Sequence, residues 1–217
     1  MSLVYGGTED VLANRRNFLE PLGIDPHRIV CANQVHGSRV VYVDKLDAGK
    51  GALSAETAIT NTDAFITDQK NIPLAIFTAD CLSVFLFDPV KQAIGLVHAG
   101  WRGTKDDVSG KAVNFMKERF DSDPRDLLAA FGPLLAECCY EVTSEFKEYF
   151  ERGIIQKNDR LYFDLRAVNK EQLLGEGLKL ANISYLSDCT ACKNEKYFSF
   201  RKEGSSAGRQ MSVIMLK

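Results

Sequence analysis

The chain has 217 residues, 45% of them hydrophobic, and its 27 Lys+Arg against 29 Asp+Glu leave a net charge of -2, so no global field draws it to nucleic acid or an anionic membrane. No apolar run approaches the ~20 residues of a membrane span, and the start, Met1-Ser2-Leu3-Val4-Tyr5-Gly6-Gly7, has neither the basic flank nor the apolar core of a signal peptide. The expectation is a cytoplasmic protein, its residues 1–217 forming one domain able to bury a sizeable core.

Thr8, with Glu9 and Asp10 behind it, starts a predicted helix with helical spacing at Val11, Leu12, Arg15, Phe18 and Leu19, and Gly23 stops it. Arg28 to Cys31 and Arg39 to Val43 read as strands around a loop that holds His36. Asp47 to Asn61 is rich in Gly, Ala, Ser and Thr and reads as a loop, after which Ala64-Phe65-Ile66 resumes strand character. Leu74 to Phe77, Leu82 to Phe87 and Ala93 to Val97 are nearly continuous apolar runs, which predicts strands buried on both faces with layers above and below.

After Gly103, the recurrence of Val108, Ala112, Met116 and Phe120 predicts an amphipathic helix begun by Thr104 and two aspartates. Leu127 to Phe131 reads as a strand closed by a Gly132-Pro133 turn. Phe146, Tyr149 and Phe150 mark one helical face, and Ala167, Leu174 and Leu178 another, with Asp164 as its cap. Ile183 to Leu186, Tyr197 to Phe200 and Met211 to Leu216 read as strands. Without internal repeats or a Pro-rich linker, a layered mixed α/β domain with about four helices is the simplest organisation.

The chemistry-bearing residues sit at strand ends. His36 lies in Asn33-Gln34-Val35-His36-Gly37, Cys81 in Thr78-Ala79-Asp80-Cys81, and His98 opens His98-Ala99-Gly100-Trp101-Arg102-Gly103. Two imidazoles and a thiol suit a zinc ion, and three protein ligands rather than four leave one position for water, as in catalytic sites. The glycines Gly37, Gly100 and Gly103 permit sharp turns or close approach. Taken alone, Cys81 also reads as a small core residue, and His27, beside Pro26, reads as structural.

Asp80 could hold a histidine in one tautomer or accept a proton, or simply shape a turn. Arg102 presents a fork for phosphate or carboxylate, or a surface ion pair. Trp101 could wall a base-binding pocket or plug the core, and Arg201 and Arg209 are further anion partners. Cys189-Thr190-Ala191-Cys192 has no second CxxC and no nearby histidine, so it reads as two small buried thiols near a turn rather than a zinc ribbon or redox pair. Together with Cys31, Cys138 and Cys139, these cysteines form no small-scaffold disulfide framework and are expected to stay reduced.

The three motifs that hold His36, Cys81 and His98 resemble the signatures of the laccase-domain, or polyphenol-oxidase-like, family. The resemblance continues through Gly132-Pro133, Cys139-Tyr140-Glu141-Val142, Asp164-Leu165 with Asn169 and Gln172, Cys189-Thr190, Phe198-Ser199-Phe200-Arg201 and Gly208-Arg209, in order over nearly the whole chain. It implies a layered α/β, cysteine-hydrolase-like fold and a Zn2+ ion bound by His36, Cys81 and His98. It also implies phosphorolysis of adenosine, inosine, guanosine or methylthioadenosine and deamination of adenosine; some bacterial relatives are linked to peptidoglycan-precursor editing. The family's older copper-laccase label suits a chain with three histidines poorly, because a multicopper oxidase needs many.

On this reading His36, Cys81, His98 and Asp80 form the catalytic group, and Gln34, Arg39, Arg102 and Arg201 are the candidates for binding nucleoside and phosphate. Family members usually begin with a further segment carrying Thr-Arg-x-Gly-Gly, and the chain reads as starting after it. Two alternatives remain open from sequence. One is a metal-free cysteine hydrolase with Cys81 as nucleophile and His98 as its base; the other is a nucleoside-binding module without catalysis.

Overall fold

The computed structural model describes residues 1–217. The chain opens with helix α1 (Thr8–Leu19), followed by the short strands β1 (Val30–Cys31) and β2 (Val40–Tyr42). Strands β3 (Ala64–Thr67), β4 (Leu74–Thr78), β5 (Leu82–Asp88) and β6 (Ala93–Ala99) come next without an intervening helix. Helices α2 (Trp101–Lys105) and α3 (Val108–Phe120) lead to β7 (Leu128–Phe131). The rest comprises β8 (Glu141–Val142), α4 (Phe146–Tyr149), β9 (Ile154–Lys157), β10 (Arg160–Phe163), α5 (Leu165–Gly175), β11 (Ile183–Tyr185), α6 (Phe200–Glu203) and β12 (Gln210–Ile214).

Three sheets result: β11-β7-β5-β6-β3-β2, β1-β4-β12 and the small β8-β10-β9. In the largest, β5 and β6 pair antiparallel along their full length, with Leu82 opposite Ala99 and Asp88 opposite Ala93, while β2 joins β3 and β11 joins β7 in parallel. The mixed character agrees with the sequence reading. That β4 and β5, neighbours in sequence, belong to different sheets does not follow from it.

The period-2 alternation of side chains explains the layering. Phe65, Ile94 and Leu96 of the large sheet meet Val30, Leu74 and Ile76 of the three-stranded sheet in one apolar layer. The residues between them, Ala64, Ile66, Ala93 and Val97, face the other way onto Val108, Ala112, Val113 and Met116 of α3. Ala75 and Phe77 of β4 turn their backs on the large sheet and pack against Leu19 of α1, Ile24 and Ile29. The order is thus α1, the β1-β4-β12 sheet, the six-stranded sheet, then α3 with α5. Strands covered on both faces read as continuous apolar runs, which is why β4 to β6 show no polar alternation.

Several boundaries differ from the sequence reading. Thr104 belongs to α2, and α3 begins three residues later at an N-cap, Asp107, whose backbone is left-handed at φ 57° and whose side chain accepts from the Gly110 amide. Tyr197 to Phe200 is a turn running into α6 rather than a strand, because the Glu203 carboxylate accepts from the Ser199 amide at 2.7 Å and closes a helical turn. The β9–β10 hairpin was missed; it turns at Asn158 with φ 52°, a conformation Asn tolerates. No helix is long and apolar enough to cross a membrane.

Candidate active site and metal centre

The switch between sheets builds the site. Between β4 and β5 the chain turns through Asp80 at φ 87° and delivers Cys81 to the corner. His98 lies on β6 opposite Ser83, two residues beyond Cys81, so the strand register brings its ring to the same end. His36 arrives on a loop, itself in a left-handed conformation at φ 60°.

A buried carboxylate fixes that loop. Asp63, immediately before β3, accepts hydrogen bonds from the amides of Val35 at 3.2 Å, His36 at 3.0 Å and Gly37 at 2.8 Å. The same side chain meets Nδ1 of His98 at 2.8 Å, and the Asp63 carbonyl accepts from the His98 amide. Burial opposes ionisation of Asp63, but the His98 ring and the amides of Gly37 and Val35 outweigh it and hold the carboxyl below its usual range. With Nδ1 engaged, His98 presents Nε2 to the site, the carboxylate–histidine arrangement that orients metal-binding imidazoles.

His36, Cys81 and His98 offer ligand atoms that all lie within 4.8 Å of one another, and the two imidazole rings meet edge to face with centroids 4.9 Å apart. Burial opposes a thiolate at Cys81, yet the charge of His98 and hydrogen bonds from His36 and His98 bring the thiol down to about 6. Burial likewise opposes charge on His98, while Cys81 and Asp63 raise it to about 9. An anionic sulfur beside two imidazoles fits a zinc ion, which would displace the His98 proton on binding. Two glycines make room for this. A Cβ on Gly100 would stand 3.1 Å from both Cys81 Sγ and His36 Cδ2, and one on Gly103 would stand 2.7 Å from the Gly37 carbonyl oxygen.

The trio borders a cavity of about 790 Å³ that Gln34, Asp80, Trp101, Arg102, Tyr140 and Arg201 also line. The other candidates fare differently. Both amide atoms of Gln34 are engaged with the Phe77 backbone, at 2.9 and 2.8 Å, which continues the edge of β4. The carboxylate of Asp80 accepts from Thr190 Oγ1 and the Arg201 amide, each at 2.6 Å. It ties the corner to the C-terminal segment, and Asp63 takes the part of holding a histidine.

Arg39 is bound to the Thr60 carbonyl at 3.0 Å and does not line the cavity. Arg102 stacks over Trp101 at 4.4 Å, and Trp101 in turn stacks on Tyr149 at 5.7 Å. Arg201 donates to the Glu141 carbonyl and lies 5.6 Å over the Tyr140 ring.

Sequence reasoning also passed over Arg15. Treated as part of a helical face, it is fully buried against the cavity, donating to the carbonyls of Met1, Gly51 and Ala52, and burial lowers its pKa. Nothing in the local pattern marks Asp63, and Arg15 stands out only as a charge sharing a helical face with Val11, Leu12, Phe18 and Leu19. The reading of Cys189 and Cys192 as a buried pair also needs correction: Cys192 is exposed, and the two meet Cys138 and Cys139 in a cluster whose sulfurs lie within 4.8 Å of one another. Such a four-cysteine cluster could bind a metal ion. Burial and the neighbouring sulfurs push the Cys139 thiol up to about 11 and raise Cys138 as well.

With this geometry in place, the family model described as multi-copper polyphenol oxidoreductase laccase matches residues 4–217. The chain belongs to this family. Among its laccase-domain relatives is the purine nucleoside phosphorylase YlmD of Geobacillus stearothermophilus, 32% identical over 94% of this chain and 78% of the relative. Adenosine deaminase RL5, from an unknown prokaryotic organism, is 31% identical over 95% of this chain and 82% of its own length. The crystal structure of the Geobacillus YlmD superposes with a TM-score of 0.96, covering 100% of this chain and 84% of that one.

Proposed function

We propose that the chain is a zinc-dependent purine nucleoside enzyme that splits nucleosides with phosphate and deaminates adenosine. The observation that carries this reading is the convergence of His36, Cys81 and His98 at one edge of a cavity large enough for a nucleoside, with Asp63 behind His98. The names of the relatives supply the substrate class. Zinc held by His36, Cys81 and His98 would supply Lewis acidity and bring the pKa of a water ligand to ~7, which suits deamination at C6 of adenine.

The protein's own groups account for the rest. Trp101 and Tyr140 give the cavity aromatic walls against which a purine can pack, while Arg102, Arg201 and the buried Arg15 bring positive charge to it for phosphate. Asp63 holds His98 with one ring nitrogen free for the site. Arg39, being outside the cavity, is set aside as a phosphate ligand in this scheme.

The close pairing of Cys81 and His98 also favours the metal-free alternative, with a Cys81 thiolate as nucleophile. Incubation of zinc-loaded protein with adenosine and inosine, with and without phosphate, separates the readings by product. Hypoxanthine or adenine released only with phosphate, and inosine formed from adenosine, are expected, with both lost on chelation and restored by zinc. Activity that survives chelation and disappears with iodoacetamide would establish the cysteine hydrolase instead. A rise in melting temperature with inosine and no product would leave a binding module.

A further inference from the structure

A second set of sulfurs gathers away from His36, Cys81 and His98, where two segments distant in sequence are laced together. Thr190 donates its amide to the Leu134 carbonyl at 2.9 Å, and Leu134 and Cys189 form an isolated parallel bridge. On one side of this seam stand Cys138 and Cys139, in the turn before β8; on the other stand Cys189 and Cys192. Cys138 Sγ lies 3.8 Å from Cys139 Sγ and 3.6 Å from Cys192 Sγ, and Cys139 Sγ lies 3.4 Å from Cys192 Sγ. Cys189 completes the set, all four sulfurs lying within 4.8 Å of one another.

Tetrahedral zinc with Zn–S bonds of ~2.3 Å requires sulfurs about 3.8 Å apart. The separations here are already close to that. An iron–sulfur cluster, with several metal and sulfide atoms between its cysteines, needs them further apart.

We propose that Cys138, Cys139, Cys189 and Cys192 bind one zinc ion in a closed, four-thiolate structural site, separate from the His36/Cys81/His98 centre. Four protein ligands leave no position for substrate, so the ion's work is mechanical. It staples the two segments that carry part of the cavity wall. Cys139 is followed by Tyr140, which lines the cavity, and Cys189 by Thr190, whose hydroxyl holds Asp80 at the corner beside Cys81. On binding, the thiols release their protons to solvent, so affinity falls in acid. The assignment stands independently of the nucleoside reading.

The experiment isolates this site by removing the other. A Cys81→Ala, His98→Ala variant, purified with its thiols reduced, should retain one zinc per chain, and zinc K-edge absorption should show four sulfur neighbours at about 2.3 Å. In the otherwise unaltered protein, Cys138→Ser with Cys192→Ser should lose one equivalent of zinc and melt about 5 °C lower or more. If the first variant fails to fold, alkylation of the unaltered protein decides. Cys138 and Cys192 are exposed, so with zinc bound they should resist iodoacetamide and react only after chelation, each mapped by mass spectrometry. Free alkylation in the presence of excess zinc, iron in place of zinc, or nitrogen and oxygen neighbours in the absorption spectrum would each overturn the proposal.

Discussion

Asp63 bears more of the site than any residue the motifs named. Its side chain accepts three amides of the His36 loop and engages His98, and it is completely buried. Asp63→Asn keeps the shape but places an amide group among donors, so at least one buried donor loses its acceptor. Losses of ~10–100-fold in zinc affinity or activity are expected for such a change behind a metal-binding histidine, measurable by competition with a chelator; unchanged affinity would show that the loop holds itself. Gly103 is a second pressure point. A methyl group there meets the Gly37 carbonyl oxygen at 2.7 Å, so Gly103→Ala should destabilise the fold by ~1–3 kcal/mol and disturb His36. Denaturant midpoints would register the first effect and zinc stoichiometry the second. A stable variant with full zinc content would count against the close-packing argument.

At the scale of elements, the helices on the far side of the large sheet are held by a polar knot rather than by apolar contact alone. Asn169 of α5 donates to Thr104 Oγ1 and to the Leu165 carbonyl, each at 2.9 Å, and accepts from Ser109 Oγ at 2.7 Å. Asn169 and both partner hydroxyl side chains, Thr104 and Ser109, are buried. Gln172 adds a bond to the Thr104 carbonyl. This knot orients α2, which presents Trp101 and Arg102 to the cavity. Asn169→Leu strands two buried hydroxyls, which predicts a loss of roughly 2–3 kcal/mol and a raised KM through the displaced α2. Unfolding curves that superpose on those of the parent protein would refute it. At the corner beside Cys81, Thr190→Val removes the hydroxyl that donates to the half-buried Asp80 carboxylate, and a cost of ~1 kcal/mol is expected in urea unfolding.

Across the whole molecule, the larger apolar layer, 21 buried residues, lies between the six-stranded sheet and the helices, and a second, of 10, lies between that sheet and β1-β4-β12. Phe65 is fully buried there, so Phe65→Ala should cost about 3–5 kcal/mol. Leu46, 88% exposed, should tolerate alanine within roughly 0.5 kcal/mol; equal effects at the two positions in urea unfolding would contradict the layer assignment. By itself the sequence determined a good deal of this. Apolar continuity at residues 74–97 reported strands covered on both faces, since alternation vanishes when both sides of a strand are buried. The three motifs singled out His36, Cys81 and His98 as candidates, through the ligand chemistry of two imidazoles and a thiol together with the family resemblance, although Cys81 taken alone also reads as a core residue. What the tertiary structure alone decided is the company those residues keep. Asp63 precedes an ordinary strand, Arg15 lies on an ordinary helical face, and Cys138 and Cys139 stand some fifty residues from Cys189 and Cys192. Their chemistry arises from contacts between segments far apart in the chain, made by strand register, by the change of sheet at Asp80 and by the folding of one segment onto another. Local sequence carries the periodicity that drives each element to form, but not which distant side chain will stand opposite it.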